Sequence, residues 1–198
     1  MTMTIQKKDG YHHGDLRQAL VDATRSLIEE NGPHGFSVSE ACRRAGVSTA
    51  APYRHFADRN AMMREVCLQG MNRMAEQFLE TLKNFQPGTI EALTAIGLNY
   101  ISFAEREPQV FRMMFAADEG EGEEIRDQGL NCYGIVLGQV AQRMGRTEID
   151  IEVERATFPL WTFVHGLAFL RIDGKMDATK TDLDVASIIE NATRRLLS

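Results

Sequence analysis

The 198-residue chain is poor in the residues that staple, break or anchor a protein. Cysteine occurs three times, at Cys42, Cys67 and Cys132, and no two of these have metal-ligand spacing. An odd, scattered set excludes a disulfide scaffold and a zinc finger and fits a reducing compartment. There is no long hydrophobic run. The longest, Phe158 to Leu170, already contains Pro159, His165 and Gly166 and is closed by Arg171, so it is too short to cross a bilayer and reads as a buried core helix. The first residues, Met1 to Gln6, show no basic segment leading into an apolar one, as a secretory signal would require. A phosphate-cradling glycine loop, a nucleophile motif and a two-histidine metal spacing are all missing. The expectation is a cytoplasmic protein that is not an enzyme, holds no cofactor or metal and does not enter a membrane.

What is present has the proportions of an ordinary globular protein, with 43% hydrophobic and 25% charged residues. The net charge of -6 is unevenly spread. The first sixty residues carry eight basic against seven acidic side chains and four of the five histidines; the remainder carries fourteen against twenty-one. Repulsion from a distant acidic body is screened beyond about 8–10 Å in physiological salt, so local charge decides affinity for a polyanion. The split suggests a nucleic-acid-facing N-terminal part and an acidic C-terminal part.

Helical periodicity runs through the chain, and the expected fold class is all-α. Residues 1–13 read as a flexible arm, in which His12 and His13 with Asp15 are a solvated cluster rather than metal ligands. From Asp15, Leu16, Leu20, Ala23 and Leu27 recur at helical spacing until Asn31-Gly32-Pro33 stops the helix. Ser37-Val38-Ser39-Glu40 is a capping box, with Glu40 expected to reach back to the Ser37 amide. The helix it opens ends at Ala45-Gly46, and Ser48 caps a second short helix to about Phe56, with Val47 packed inward. Asp58 caps a long Met-rich helix that Pro87-Gly88 breaks.

Further helices are expected from Ile90 to about Ala104, Val110 to Phe115, Ile125 to Met144, Leu160 to Ile172 and Asp182 to Leu197. Pro159 should bend the penultimate one, and the glycines at 129, 134 and 138 should allow close helix approach. Asp118 to Glu124 is a solvated acidic stretch. Glu148 to Glu154 alternates like a strand but has no partner strand, so a helix is expected there too. The resulting organisation is an arm (1–13), a three-helix head (14–60) and a larger helical bundle (61–198).

Two short helices joined by a glycine turn make a helix-turn-helix, whose second helix enters the major groove. Arg43, Arg44, Arg54, His55 and Arg59 suit phosphates; Ser37, Ser39, Ser48, Thr49 and Tyr53 are further donors. Thr49, Ala50 and Ala51 are small enough for close approach to base edges, and Thr49 and Pro52 offer apolar surface to a thymine methyl. An αα-turn inside an ordinary bundle satisfies the same geometry. The residues Ser37 to Phe56, followed by Asp58-Arg59, resemble the DNA-binding signature of the TetR family, above all in Gly46-Val47-Ser48 and Tyr53-Arg54-His55-Phe56. Tyr11 to Arg17 also resembles first-helix entries of that family. Pro52 departs from the usual aliphatic residue, Arg59 from a common lysine and Asn60 from an acidic residue. Trp161 to Gly166 is similar to the Trp…His-Gly element of one C-terminal subgroup. The resemblance implies a homodimer whose two heads read a palindromic operator and whose C-terminal body binds an effector that changes the spacing of the heads.

The all-round apolar Leu160–Ile172 segment independently asks for burial, and pairing it and the last helix with their symmetry mates would make a four-helix homodimer interface. Phe78, Tyr100, Phe103, Met114 and Tyr133 are core positions that also suit an adaptable apolar pocket for a small-molecule effector. Trp161 lies one turn from His165, so both share a helix face, and their buried polar atoms need partners that core or ligand could supply.

Overall fold

The computed structural model describes residues 13–116, 123–176 and 184–198. These form eight α-helices: α1 (His13–Gly35), α2 (Val38–Ala45), α3 (Arg59–Leu82), α4 (Ile90–Arg106), α5 (Pro108–Phe115), α6 (Glu123–Arg143), α7 (Ile151–Ile172) and α8 (Val185–Leu196). No strand occurs among the described residues. The arm up to residue 12, most of the acidic stretch and the start predicted for the last helix lie outside them, while residue 13, expected in the arm, opens α1. The chain divides into two compact units, Met1–Val66 and Cys67–Ser198.

In the first unit α1 packs on α2. Leu20, Val21, Leu27 and Ile28 are buried, as the 3.6-residue periodicity requires. Thr24 is buried with them and donates its hydroxyl to the Leu20 carbonyl at 2.7 Å. The stop predicted at Asn31-Gly32-Pro33 is a kink rather than an end. Gly32 leaves helical geometry (φ 73°, ψ 167°), and a further turn reaches Gly35. The Ser37 hydroxyl accepts from the Glu40 amide at 3.2 Å and caps α2. Gly46 follows in the left-handed region (φ 70°), where a side chain would be strained.

In the second unit α4 is the central helix and touches α5, α6, α7 and α8. Leu93 of α4 joins Leu137, Val140 and Ala141 of α6 and Val153 and Leu160 of α7 in one buried cluster. The α3 helix ends at Leu82, short of the predicted break, and turns lead to Gly88 (φ 73°). There a Cβ would lie 2.6 Å from the Arg143 backbone nitrogen, and the Gly88 amide donates to the Gln139 side chain at 2.9 Å. The alternating segment before α7 is divided: Asp150 caps the helix through the amides of Glu152 and Val153, and the residues before it are not helical. Pro159 lies inside α7. The predicted tight packing at Gly134 and Gly138 is not found among the described residues of the protomer, where an added Cβ at either would meet none of them within 4 Å.

The close glycine contact is instead Gly97, where α4 meets α8. An added Cβ would come within 2.8 Å of Ile189 Cγ2, and Ile189 is 1% exposed. Gly97→Val is therefore expected to destabilise the protein by about 1–3 kcal/mol through overpacking. Urea denaturation measures it; an unchanged midpoint would contradict this packing.

Candidate functional site

The segment after Gly46 is tighter than the α-helix predicted from Ser48 to Phe56. Only Pro52–Arg54 is helical, as a single 3₁₀ turn, and turns precede it. The cause is Pro52, which has no amide hydrogen to give to a carbonyl four residues back. The Ala51 amide bonds the Ser48 carbonyl instead (3.0 Å), and the Pro52 carbonyl accepts from both His55 (2.8 Å) and Phe56 (2.9 Å). Pro52 and Phe56 are buried, while Tyr53 is 64% exposed and Arg54 points to solvent with no partner among the described residues. Ser48, Thr49 and Ala50 are exposed in front of this turn, and Ser37 and Ser39 are exposed at the start of α2.

Three other basic side chains are committed within the first unit. Arg43 grips the Glu40 carboxylate at 2.9 and 2.5 Å, so Glu40 reaches forward and the predicted reciprocal bond to Ser37 is replaced. Arg44 makes a two-pronged pair with Glu30 at 2.6 and 2.8 Å. Hydrogen bonding from each arginine holds its carboxylate partner below the ordinary range. Arg59 points inward: it donates to the Phe36 carbonyl at 3.1 Å and to the Pro33 carbonyl, with its guanidinium 5.1 Å from the Phe36 ring centre. It ties the kinked end of α1 to the start of α3. His55 is half-buried, and its buried Nε2 lacks a hydrogen-bond partner among the described residues.

The second unit encloses a cavity of about 500 Å³ between α3, α4, α5, α6, α7 and α8. Phe78, Tyr100, Met114, Tyr133 and Trp161 line it. Phe103 does not: it is 0% exposed, packed beside Gly70 in the core. His165 stands behind the wall, its Nδ1 2.7 Å from the Tyr100 hydroxyl. Burial pushes the Tyr100 phenol up and keeps the His165 imidazole below its ordinary value, while hydrogen bonding from Trp161 works against the rise at Tyr100. With His165 neutral, the phenol can donate to Nδ1. The histidine is packed edge-on against Phe115 and Phe169, with ring centres 4.7 and 5.0 Å apart.

Comparison with known proteins decides the family. A model described as "Bacterial regulatory proteins, tetR family" matches residues 20–66. One described as "Tetracyclin repressor-like, C-terminal domain" matches residues 93–196, more than half of the chain. The chain belongs to the TetR family. It is 24% identical over 128 residues to the HTH-type transcriptional regulator UidR of Escherichia coli K12, a match covering 65% of this chain and 64% of that protein, just under two thirds of its length. It is 31% identical over 75 residues to the E. coli regulator BetI, covering 38% of each. Among solved structures, a protein of unknown function from Rhodococcus sp. RHA1 is 25% identical, with a TM-score of 0.80 over 96% of this chain and 97% of that one. FadR from Bacillus subtilis, solved with stearoyl-CoA, has a TM-score of 0.66 at 16% identity over 91% and 97% of the two chains, a likeness of fold alone.

Within this TetR-family chain, the structure brings Ser48, Thr49, Ala50, Tyr53 and Arg54 to one exposed turn and withdraws Pro52, His55 and Arg59 from it. Sequence reasoning missed the pairing of Arg44 with Glu30, fourteen positions apart, for which no local signal exists. It also missed Met71 and Met74 as cavity lining, although they share the α3 stripe with Phe78 and could have been grouped with it.

The three cysteines are buried, and burial pushes Cys67 up to about 12 and Cys132 up to about 11. Both thiols would ionise from about pH 9 in the unfolded chain but stay protonated when folded, so they contribute stability that is complete below pH 9 and lost as pH rises through 9 to 12. The urea midpoint is expected to fall between pH 8.5 and 11, and less steeply in Cys67→Ala; equal slopes would contradict this burial.

Proposed function

We propose that the chain is a ligand-responsive, DNA-binding transcriptional regulator of the cytoplasm. It acts as a repressor that leaves a palindromic operator when a small apolar effector fills the cavity. The observation that carries this reading is the 3₁₀ turn whose Pro52 and Phe56 are buried while Tyr53 and Arg54 face outward. An unpaired guanidinium and an exposed phenol on a rigid turn suit a base edge and a phosphate. Ser48, Thr49 and Ala50 would approach the groove beside them, and Ser37, Ser39 and Arg44 would meet the backbone.

The active form would be a homodimer. On α7, Phe158, Thr162, Gly166 and Leu170 recur every fourth residue and are all exposed, as is Leu196 of α8. An apolar stripe of this kind needs cover, and a second copy supplies it isologously. Two heads would then read half-sites about 34–36 Å apart. For the effector to act, it must prefer one head spacing, and DNA must weaken effector binding by the same factor.

A second reading, a dimeric all-α small-molecule-binding protein without DNA binding, is favoured by one observation: Arg43 and Arg44 are already neutralised by Glu40 and Glu30. Gel shift on the DNA upstream of the gene separates the two. A shift is expected at low salt; folded protein that gives none would leave the second reading standing. Tyr53→Ala and Arg54→Ala are each expected to weaken operator binding about tenfold, within the ~1–3 kcal/mol typical of a specific contact, and unchanged affinity would sink the assignment of this turn. Glu30→Gln is expected to tighten binding and steepen its salt dependence by releasing Arg44 to a phosphate. Light scattering at micromolar concentration should give twice 22.2 kDa, and a monomer would remove the dimer.

A further inference from the structure

We propose that the cavity of the second unit takes an uncharged, ring-bearing apolar molecule and excludes anions of similar size. The proposal rests on the regulator reading only in treating the cavity as an effector site. At about 500 Å³ the cavity holds about 17 water volumes of ~30 Å³ each, room for two or three rings. One side of it is a ring wall: Trp161 lies with its centre 5.7 Å from Tyr133 and 5.9 Å from Phe158. Offset and edge-on contacts with such a wall favour a flat partner. Met71, Met74 and Met114, also in the lining, are unbranched side chains that adapt to a ligand's outline.

The polar groups of the lining speak against charge. The Tyr100 hydroxyl is engaged with His165 Nδ1 at 2.7 Å. Thr193 donates to the Ile189 carbonyl at 2.8 Å, and the Cys132 thiol lies 3.4 Å from the Met71 carbonyl. The remaining lining hydroxyl among the described residues, Tyr133, is held protonated first by burial and then by the field of Glu154, both of which oppose a negative charge there. The charged lining residue among them is Arg126, which is exposed and already engaged in an interaction of its own. A buried carboxylate or sulfonate would lose its hydration and find no uncommitted counter-charge, whereas a neutral molecule loses little.

Trp161 is the sole tryptophan of the chain and lies on the cavity wall, so its fluorescence reports occupancy. The test titrates the full-length protein with uncharged N-phenyl-1-naphthylamine and, separately, with 8-anilino-1-naphthalenesulfonate, whose rings match it but carry a sulfonate. The uncharged probe is expected to quench Trp161 saturably at one molecule per chain, with the sulfonate at least tenfold weaker and laurate unable to displace the probe. Equal affinities, displacement by laurate, or no saturable quenching would overturn the proposal. Gly129→Phe places a ring in the cavity from a position whose added Cβ meets only Met71 Cε at 3.8 Å; it should cost the uncharged probe tenfold or more, and retained affinity would show binding elsewhere. Leu130→Lys, at a lining position 58% exposed and so safe for folding, adds a cation at the mouth and should bring the sulfonate within about threefold of the uncharged probe; no gain would overturn the charge argument. DNA binding by the unliganded protein tests the regulator reading separately, and either can fail without the other.

Discussion

Pro52 constrains everything that the first unit can offer a partner. An α-helix continued through this position would lose a hydrogen bond and force the ring against the Ser48 carbonyl, at a cost of about 3 kcal/mol in a helix interior. The chain tightens instead, and one carbonyl, that of Pro52, serves two amides. The turn that results has a definite inside and outside. Pro52 and Phe56 face in, with the Arg17 guanidinium 5.1 Å from the Phe56 ring centre, and Tyr53 and Arg54 face out. Arg59 closes the arrangement from behind by bonding the carbonyls of Pro33 and Phe36. A short element held at both ends loses little freedom on binding, which suits recognition by few residues.

The second unit solves a different problem, that of a helix apolar on all sides. The inner side of α7 closes the cavity through Leu160, Trp161 and Val164, and its outer side leaves Phe158 and Leu170 more than two-fifths exposed. Phe158 belongs to both sides, since it lines the cavity and stands in solvent. If a second copy covers that outer side, occupancy of the cavity and pairing of the copies share a residue, a direct physical link between effector and dimer.

The all-α class and most helix boundaries were legible in the sequence because caps and breakers act locally. Ser37, Gly46 and Asp58 sit where short-range hydrogen bonding puts them. The family was legible because one contiguous stretch carries its signature. The errors share a cause. The type of a basic residue does not reveal its partner, so Arg59 read as a phosphate contact although it binds carbonyls more than twenty positions away. Apolar character likewise does not separate cavity wall from filled core: Phe103 and Phe78 read alike, and only three-dimensional packing puts one in the core and the other at the cavity. The cluster of Trp161, Tyr100 and His165 was half visible. The helical spacing put Trp161 and His165 together, but Tyr100, sixty-five positions from His165, arrives only through the packing of α4 on α7.

The exposed face of this turn is proposed to meet a DNA duplex. Photocrosslinking tests it most directly, with Tyr53→benzoylphenylalanine irradiated in the presence of the upstream operator. The expected result is a protein–DNA adduct that unlabelled operator competes away and scrambled DNA does not. No adduct from position 53, in protein that still shifts the operator, would contradict it.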